Sequence, residues 1–121
     1  MIITFLNENS EKNLTETGVA HWEGRKEDFA IFMENDEGNE ETGPFYDYGL
    51  CFDKVEPEEY YRYQLSWGGP SDEIRFHQDG TVEYVYLDWF CGVGFNITNT
   101  ETARFLQDWF EGCEMINWEE V

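Results

Sequence analysis

Tyr61, Tyr63, Leu65 and Trp67 alternate with Tyr60, Arg62, Gln64 and Ser66. That two-residue period belongs to a strand with one buried face. The stretch Tyr60–Phe90 holds three such aromatic-rich runs, cut by GGPSD and by QDG. It predicts an antiparallel three-strand unit, with the second strand over Glu73–His77. The second turn fixes a register. A two-residue Asp79-Gly80 turn sets Phe76 opposite Glu83. A three-residue loop, Gln78-Asp79-Gly80, pairs His77 with Thr81 and sets Phe76 opposite Val82, Ile74 opposite Tyr84 and Arg75 opposite Glu83. The second register makes one face apolar and gives the other an opposite-charge pair. It needs a left-handed residue, which Gly80 supplies. Val85, Leu87 and Trp89 then lie opposite the face of Val82, Tyr84 and Tyr86. A strand apolar on both sides is expected to be central and covered on both faces.

Elsewhere the pattern is less regular. MIITFL at the start is an edge strand or the first turn of a helix, and Asn7–Thr17 is a loop or a short capped helix. Phe29–Met33 is continuously apolar. Arg25–Phe32 also fits a helix with Glu27 and Asp28 in its first turn, but the flanking Gly24 and Gly38 favour a buried strand. Glu34–Pro44 contains no apolar side chain before its proline and is a loop. Leu50–Val55 is a strand ended by Glu56-Pro57. Thr98-Asn99-Thr100-Glu101 has the form of a capping box. Behind it Ala103, Phe105, Leu106, Trp109, Phe110 and Cys113 share one side of a helix, and Arg104, Gln107, Asp108, Glu111 and Glu114 the other. Gly112 is a stop signal, Trp118 is expected to tuck against the body, and Glu119-Glu120 to form a frayed tail. The expected fold is α+β: one domain over 1–121, an antiparallel sheet of four to five strands, and a C-terminal amphipathic helix packed on one face.

Composition adds one dominant fact. There are 27 Asp and Glu against 7 Lys and Arg, a net charge of -20 on 121 residues. Ten Phe, seven Tyr and five Trp separate this chain from disordered acidic proteins, which are poor in aromatics. The acids run through both halves, so no detachable acidic tail accounts for them. Such a charge disfavours direct binding to nucleic acid or an anionic membrane and favours rapid capture by a basic protein surface. Cys51, Cys91 and Cys113 are odd in number without a CxxC, and read as small core fillers rather than a disulfide framework. No apolar run approaches a membrane span and no signal peptide opens the chain, which points to the cytoplasm of the host cell.

Chemistry is sparse. His21 and His77 have no Ser or Cys in a nucleophile setting, no HExxH occurs, and His77 reads as a solvated partner on a polar strand face. The chain is therefore read as a non-enzyme without cofactor. The Glu34–Glu41 stretch fails as an EF-hand: with Gly38 at the sixth loop position, Met33 and Pro44 would fall where oxygen ligands are required. Zinc would need the scattered cysteines gathered with a histidine, so no metal is expected.

The carboxylates remain as a surface. Residues i,i+3 or i,i+4 on a helix lie about 5–6 Å apart, comparable with successive phosphates of a nucleic-acid strand. Asp108, Glu111 and Glu114 on the helix, with Glu34, Asp36, Glu37, Glu40 and Glu41 on the loop, are the candidate partner-binding residues, acting as phosphate surrogates. The string Tyr63–Phe76, containing WGGPSDE, with Tyr84–Phe90 after it, resembles small acidic proteins of phages and conjugative elements. These are associated with anti-defence roles, in a wider class that includes DNA-mimicking anti-CRISPR and antirestriction proteins. The resemblance covers the central third of the chain. It implies an inhibitor of host defence, with a CRISPR effector or restriction enzyme as partner, and brings no catalytic role. WGGPSD itself reads as a tight turn whose Ser71 or Asp72 bonds local backbone, or as an exposed recognition loop with Trp67 as an aromatic anchor. Two other functions stay open: an immunity protein neutralising a basic nuclease toxin, and an acidic structural protein of a mobile element. So does a homodimer.

Overall fold

Among the described residues, six antiparallel strands in the order β1-β6-β5-β4-β3-β2 form one sheet. They are β1 (Ile3–Phe5), β2 (Cys51–Val55), β3 (Tyr60–Ser66), β4 (Ser71–His77), β5 (Val82–Asp88) and β6 (Cys91–Asn96), with two helices, α1 (Glu8–Glu34) and α2 (Glu101–Gly112). The computed structural model describes residues 3–5, 8–68, 70–88 and 91–118. The expectations for Trp89, Phe90, Glu119 and Glu120 lie outside the described residues.

The register predicted for the central hairpin is the one observed. Phe76 faces Val82, Ile74 faces Tyr84 and Arg75 faces Glu83. His77 donates its backbone N–H to Thr81, and Gly80 closes the turn at φ 94°. Tyr63, Ile74, Phe76, Tyr84, Val93 and Phe95 therefore line one face, and all are buried. Both helices pack there: Trp22 of α1 lies 4.9 Å from Tyr84 and Phe110 of α2 lies 4.8 Å from Tyr63, ring centre to ring centre. β5 is central as expected. No described helix covers its other face, which corrects the expected second layer. Val85 there is nevertheless 5% exposed and Leu87 half-buried, in a hollow they share with the side chains of Arg75 and Glu83. The strand count also exceeds the expected four to five. Gly92 and Gly94 weaken the strand signal of β6, yet they fall on the uncovered face, while Val93 and Phe95 fill the core.

The larger correction is α1. Asn7–Thr17 from Glu8 on, expected as a loop or a short capped helix, and Phe29–Met33, where a strand was favoured over a helix, belong to one 27-residue helix from Glu8 to Glu34. Its core-facing positions are Gly18, Trp22, Arg25, Phe29 and Phe32, a four-three spacing in which Gly18, Trp22, Phe29 and Phe32 are buried and Arg25 is half-buried. Gly18 is the point of close approach. A Cβ there would lie 2.7 Å from Val93 Cγ1 and 3.1 Å from the Phe95 ring, whereas one on Gly24 would meet nothing within 4 Å. Gly24→Ala is therefore expected to stabilise by about 0.5–1 kcal/mol through helix propensity. Gly18→Ala gains the same propensity but overpacks a closed contact, at a cost of about 1–3 kcal/mol. Urea midpoints should move in opposite directions; a rise for both would refute the close packing of α1 on β6.

Smaller corrections follow from local chemistry. Ser71 and Asp72 open β4 instead of completing the turn, and a bulge between Gln64 and Ser66 brings Ser66 opposite Asp72. The cap of α2 is Thr100, whose hydroxyl accepts from Ala103 N–H at 3.1 Å. Thr98 is occupied elsewhere, its hydroxyl accepting from Val82 N–H at 2.8 Å. Cys113 is exposed beyond the end of α2, and Cys51 and Cys91 are half-buried, so none is a fully buried filler. Trp118 packs edge-on against Tyr61 at 4.8 Å, as expected.

Candidate interaction surface

All eight acidic residues singled out from the sequence are exposed. Glu34 is the last residue of α1, and Asp36, Glu37, Glu40 and Glu41 occupy the loop after it. That loop is stiffened from within. Asn35 Oδ1 accepts from Glu37 N–H at 3.0 Å, and Asn39 Oδ1 accepts from the N–H groups of Glu41 at 2.9 Å and Thr42 at 2.8 Å. Gly38 and Gly43 take the positive φ values of 69° and 68° that its bends require. The loop then delivers Phe45, which is buried against Phe105 at 5.2 Å and Trp109 at 4.7 Å of α2. Phe45 thus ties the acidic loop to the flank of the helix bearing Asp108 and Glu111. Glu114 lies past the helix end, in the left-handed region at φ 60°. Arg104 interrupts the acidic row on α2.

The sequence reading missed part of this surface. Glu16, Glu23 and Glu27 are exposed and share the outer side of α1 with Glu34. Their separations of seven, four and seven residues convert to about 10, 6 and 10 Å along the helix. Phosphates rise about 3.4 Å per step along one strand, so these carboxylates fall close to three, two and three steps. The spacing has meaning only on a helix, and became legible once this segment was one. Lys26 bonds Glu23 at 3.1 Å, but both side chains are about half-exposed and such a pair is weak.

The uncovered sheet face is electrically different. Asp53 meets Arg62 at 2.7 Å, Glu73 meets Arg75 at 2.7 Å, and Glu83 meets His77 at 2.6 Å. The bond from His77 holds the Glu83 carboxyl below its ordinary range. On this face Asp53 and Glu73 thus each meet an arginine and Glu83 bonds His77, whereas the exposed acids described in the helical layer and its loop have one ion pair among them, Glu23 with Lys26. Further exposed acids, Glu58, Glu59 and Asp79, lie on the turns at the strand ends.

A buried network fixes α1 to the sheet. Arg25 grips Asp72 with two bonds, Nε to Oδ2 at 2.7 Å and Nη2 to Oδ1 at 2.9 Å. Asp72 is 2% exposed and also accepts from Ser66 Oγ at 2.5 Å and Tyr84 Oη at 2.7 Å. Burial alone would raise its pKa; the bonds from Arg25, Ser66 and Tyr84 prevail and lower it. Tyr48 donates to Asp28 at 2.5 Å and accepts from Arg25 Nη1 at 3.0 Å. Burial, with the bond to Asp28, pushes the Tyr48 phenol up to about 12. WGGPSD thus ends in the acid that anchors the long helix, while Trp67 in the same string is 63% exposed.

Among the described residues no three His, Cys, Asp or Glu side chains converge as metal ligands, and no helix is long and apolar enough to cross a membrane. Comparison with protein families, with characterised proteins and with solved structures finds no match to this chain.

Proposed function

We propose that this protein is an anti-defence inhibitor whose acidic helical layer occupies the nucleic-acid-binding groove of a CRISPR effector or restriction enzyme. The observation that carries the reading is the division of charge. Carboxylates on the sheet face are matched by arginine and histidine, whereas Glu16, Glu23, Glu27 and Glu34 run into the stiffened loop of Asp36–Glu41 with one lysine beside them. Acidity serving solubility alone has no need of such a division. A ridge held on a helix and a hydrogen-bonded loop is preorganised for a cationic groove, and long-range attraction speeds the encounter. No enzyme activity, metal or cofactor enters this reading.

The test is capture of the target from host lysate on immobilised protein. The retained protein is expected to be released by added duplex DNA, and by raising salt from about 0.05 to about 0.5 M, where screening shortens the reach of charge severalfold. Retention indifferent to both would sink the reading. A nuclease toxin as the retained species would select the immunity-protein alternative.

A further inference from the structure

We propose that a groove at the sheet's β2 edge takes one large apolar side chain from an extended, Lys/Arg-flanked segment of the partner, making a second contact beside the acidic ridge. This rests on the reading of the target as basic.

Four large hydrophobic side chains are exposed among the described residues: Tyr46 at 74%, Leu50 at 49%, Trp67 at 63% and Met115 at 40%. Three of them, Tyr46, Leu50 and Met115, surround one groove of about 320 Å³. Phe52, Trp109 and Phe110 also line it. Single exposed apolar residues are ordinary, but three around one concavity mark a contact site. Tyr63 lies in the same lining, with its phenol against Gly49.

Two observations choose the occupant. No Lys or Arg lines the groove, whereas the exposed acids Asp47, Glu111 and Glu114 stand next to or near its lining residues in the chain. An apolar side chain with basic neighbours is complementary to both. In addition, among the described residues β2 is an outermost strand, paired with β3 on one side. Its free edge can align an extended segment by backbone hydrogen bonds, with alternate side chains turned toward the groove.

Three capped peptides test this: phenylalanine between pairs of lysines, alanine between the same lysines, and phenylalanine between pairs of serines. Binding is followed by amide chemical shifts at low salt. The lysine–phenylalanine peptide is expected to bind about tenfold more tightly than either other peptide, and to shift Leu50, Cys113 and Met115. Leu50→Ser with Met115→Ser should erase the preference over the alanine peptide. Both side chains are substantially exposed, so an unchanged urea midpoint should accompany the loss. Equal affinity for the two lysine peptides, with shifts confined to residues 34–41, would overturn the groove while leaving the ridge intact. Equal affinity for the serine-flanked peptide would overturn the basic occupant. No binding by any peptide at millimolar concentration would overturn the proposal as a whole.

Discussion

Asp72→Ala is expected to remove about 3 kcal/mol of stability, the low end of the range for breaking a buried ion pair. The low end applies because the Arg25 side chain is 24% exposed and can recover some water, whereas Asp72 is 2% exposed. Ser66 and Tyr84 lose their shared acceptor at the same time. With a denaturant slope of about 1.5 kcal/mol per molar, the urea midpoint should fall by about 2 M. A fall below about 0.5 M would refute the anchoring role. Arg25→Met strands the carboxylate instead, and the double variant should cost less than the sum of the two. The pH dependence has a fixed sign. Folding lowers the Asp72 pKa, so the unfolded chain takes up the proton first as acid is added. The contribution is complete above the unfolded value near about 4 and disappears as pH falls through the lower folded value. The gap between wild type and Asp72→Asn should therefore narrow across that acidic window and stay constant above it.

The second large effect concerns binding. Glu27→Lys, Glu34→Lys and Glu37→Lys together replace three attractions with three repulsions on the ridge. At about 1 kcal/mol for each exposed position, affinity for the captured target should drop about 100-fold. Stability should change little, because all three side chains are exposed. The same reversal at Glu56, Glu58 and Glu59, on the connector between β2 and β3, changes net charge equally away from the ridge. Equal weakening by the two triple variants in a competition assay would assign the effect to total charge and remove the ridge from the explanation.

The central strands were legible because their turns carry their own chemistry. Gly80 admits one loop geometry well, and that loop sets every pair from His77 to Tyr84. The long helix was illegible for an equally local reason. Two of its core-facing positions are Gly18, which has no side chain, and Arg25, whose charge reads as solvent-facing until Asp72 is placed beneath it. The apolar run Phe29–Met33 added a false strand signal, since Ala30 is exposed and only Phe29 and Phe32 are fully buried. The candidate surface divided along the same line. Loop acids were visible as a loop, whereas Glu16, Glu23 and Glu27 align only when wound at 3.6 residues per turn. At α2 the pattern of the helix was plain but its start was not, because Thr98, Asn99 and Thr100 are all capping residue types and only packing chose among them.

The pairing of β1 with β6 places the first strand beside the last. α1 rests on β6 as well, through Gly18 against Val93 and Phe95. On a ribosome, the long helix therefore has no complete surface to dock against until residue 96 has left the exit tunnel, although its own residues emerge early. Synthesis from one end does not let this unit fold from one end; β1 finds its sheet neighbour only once β6 has emerged.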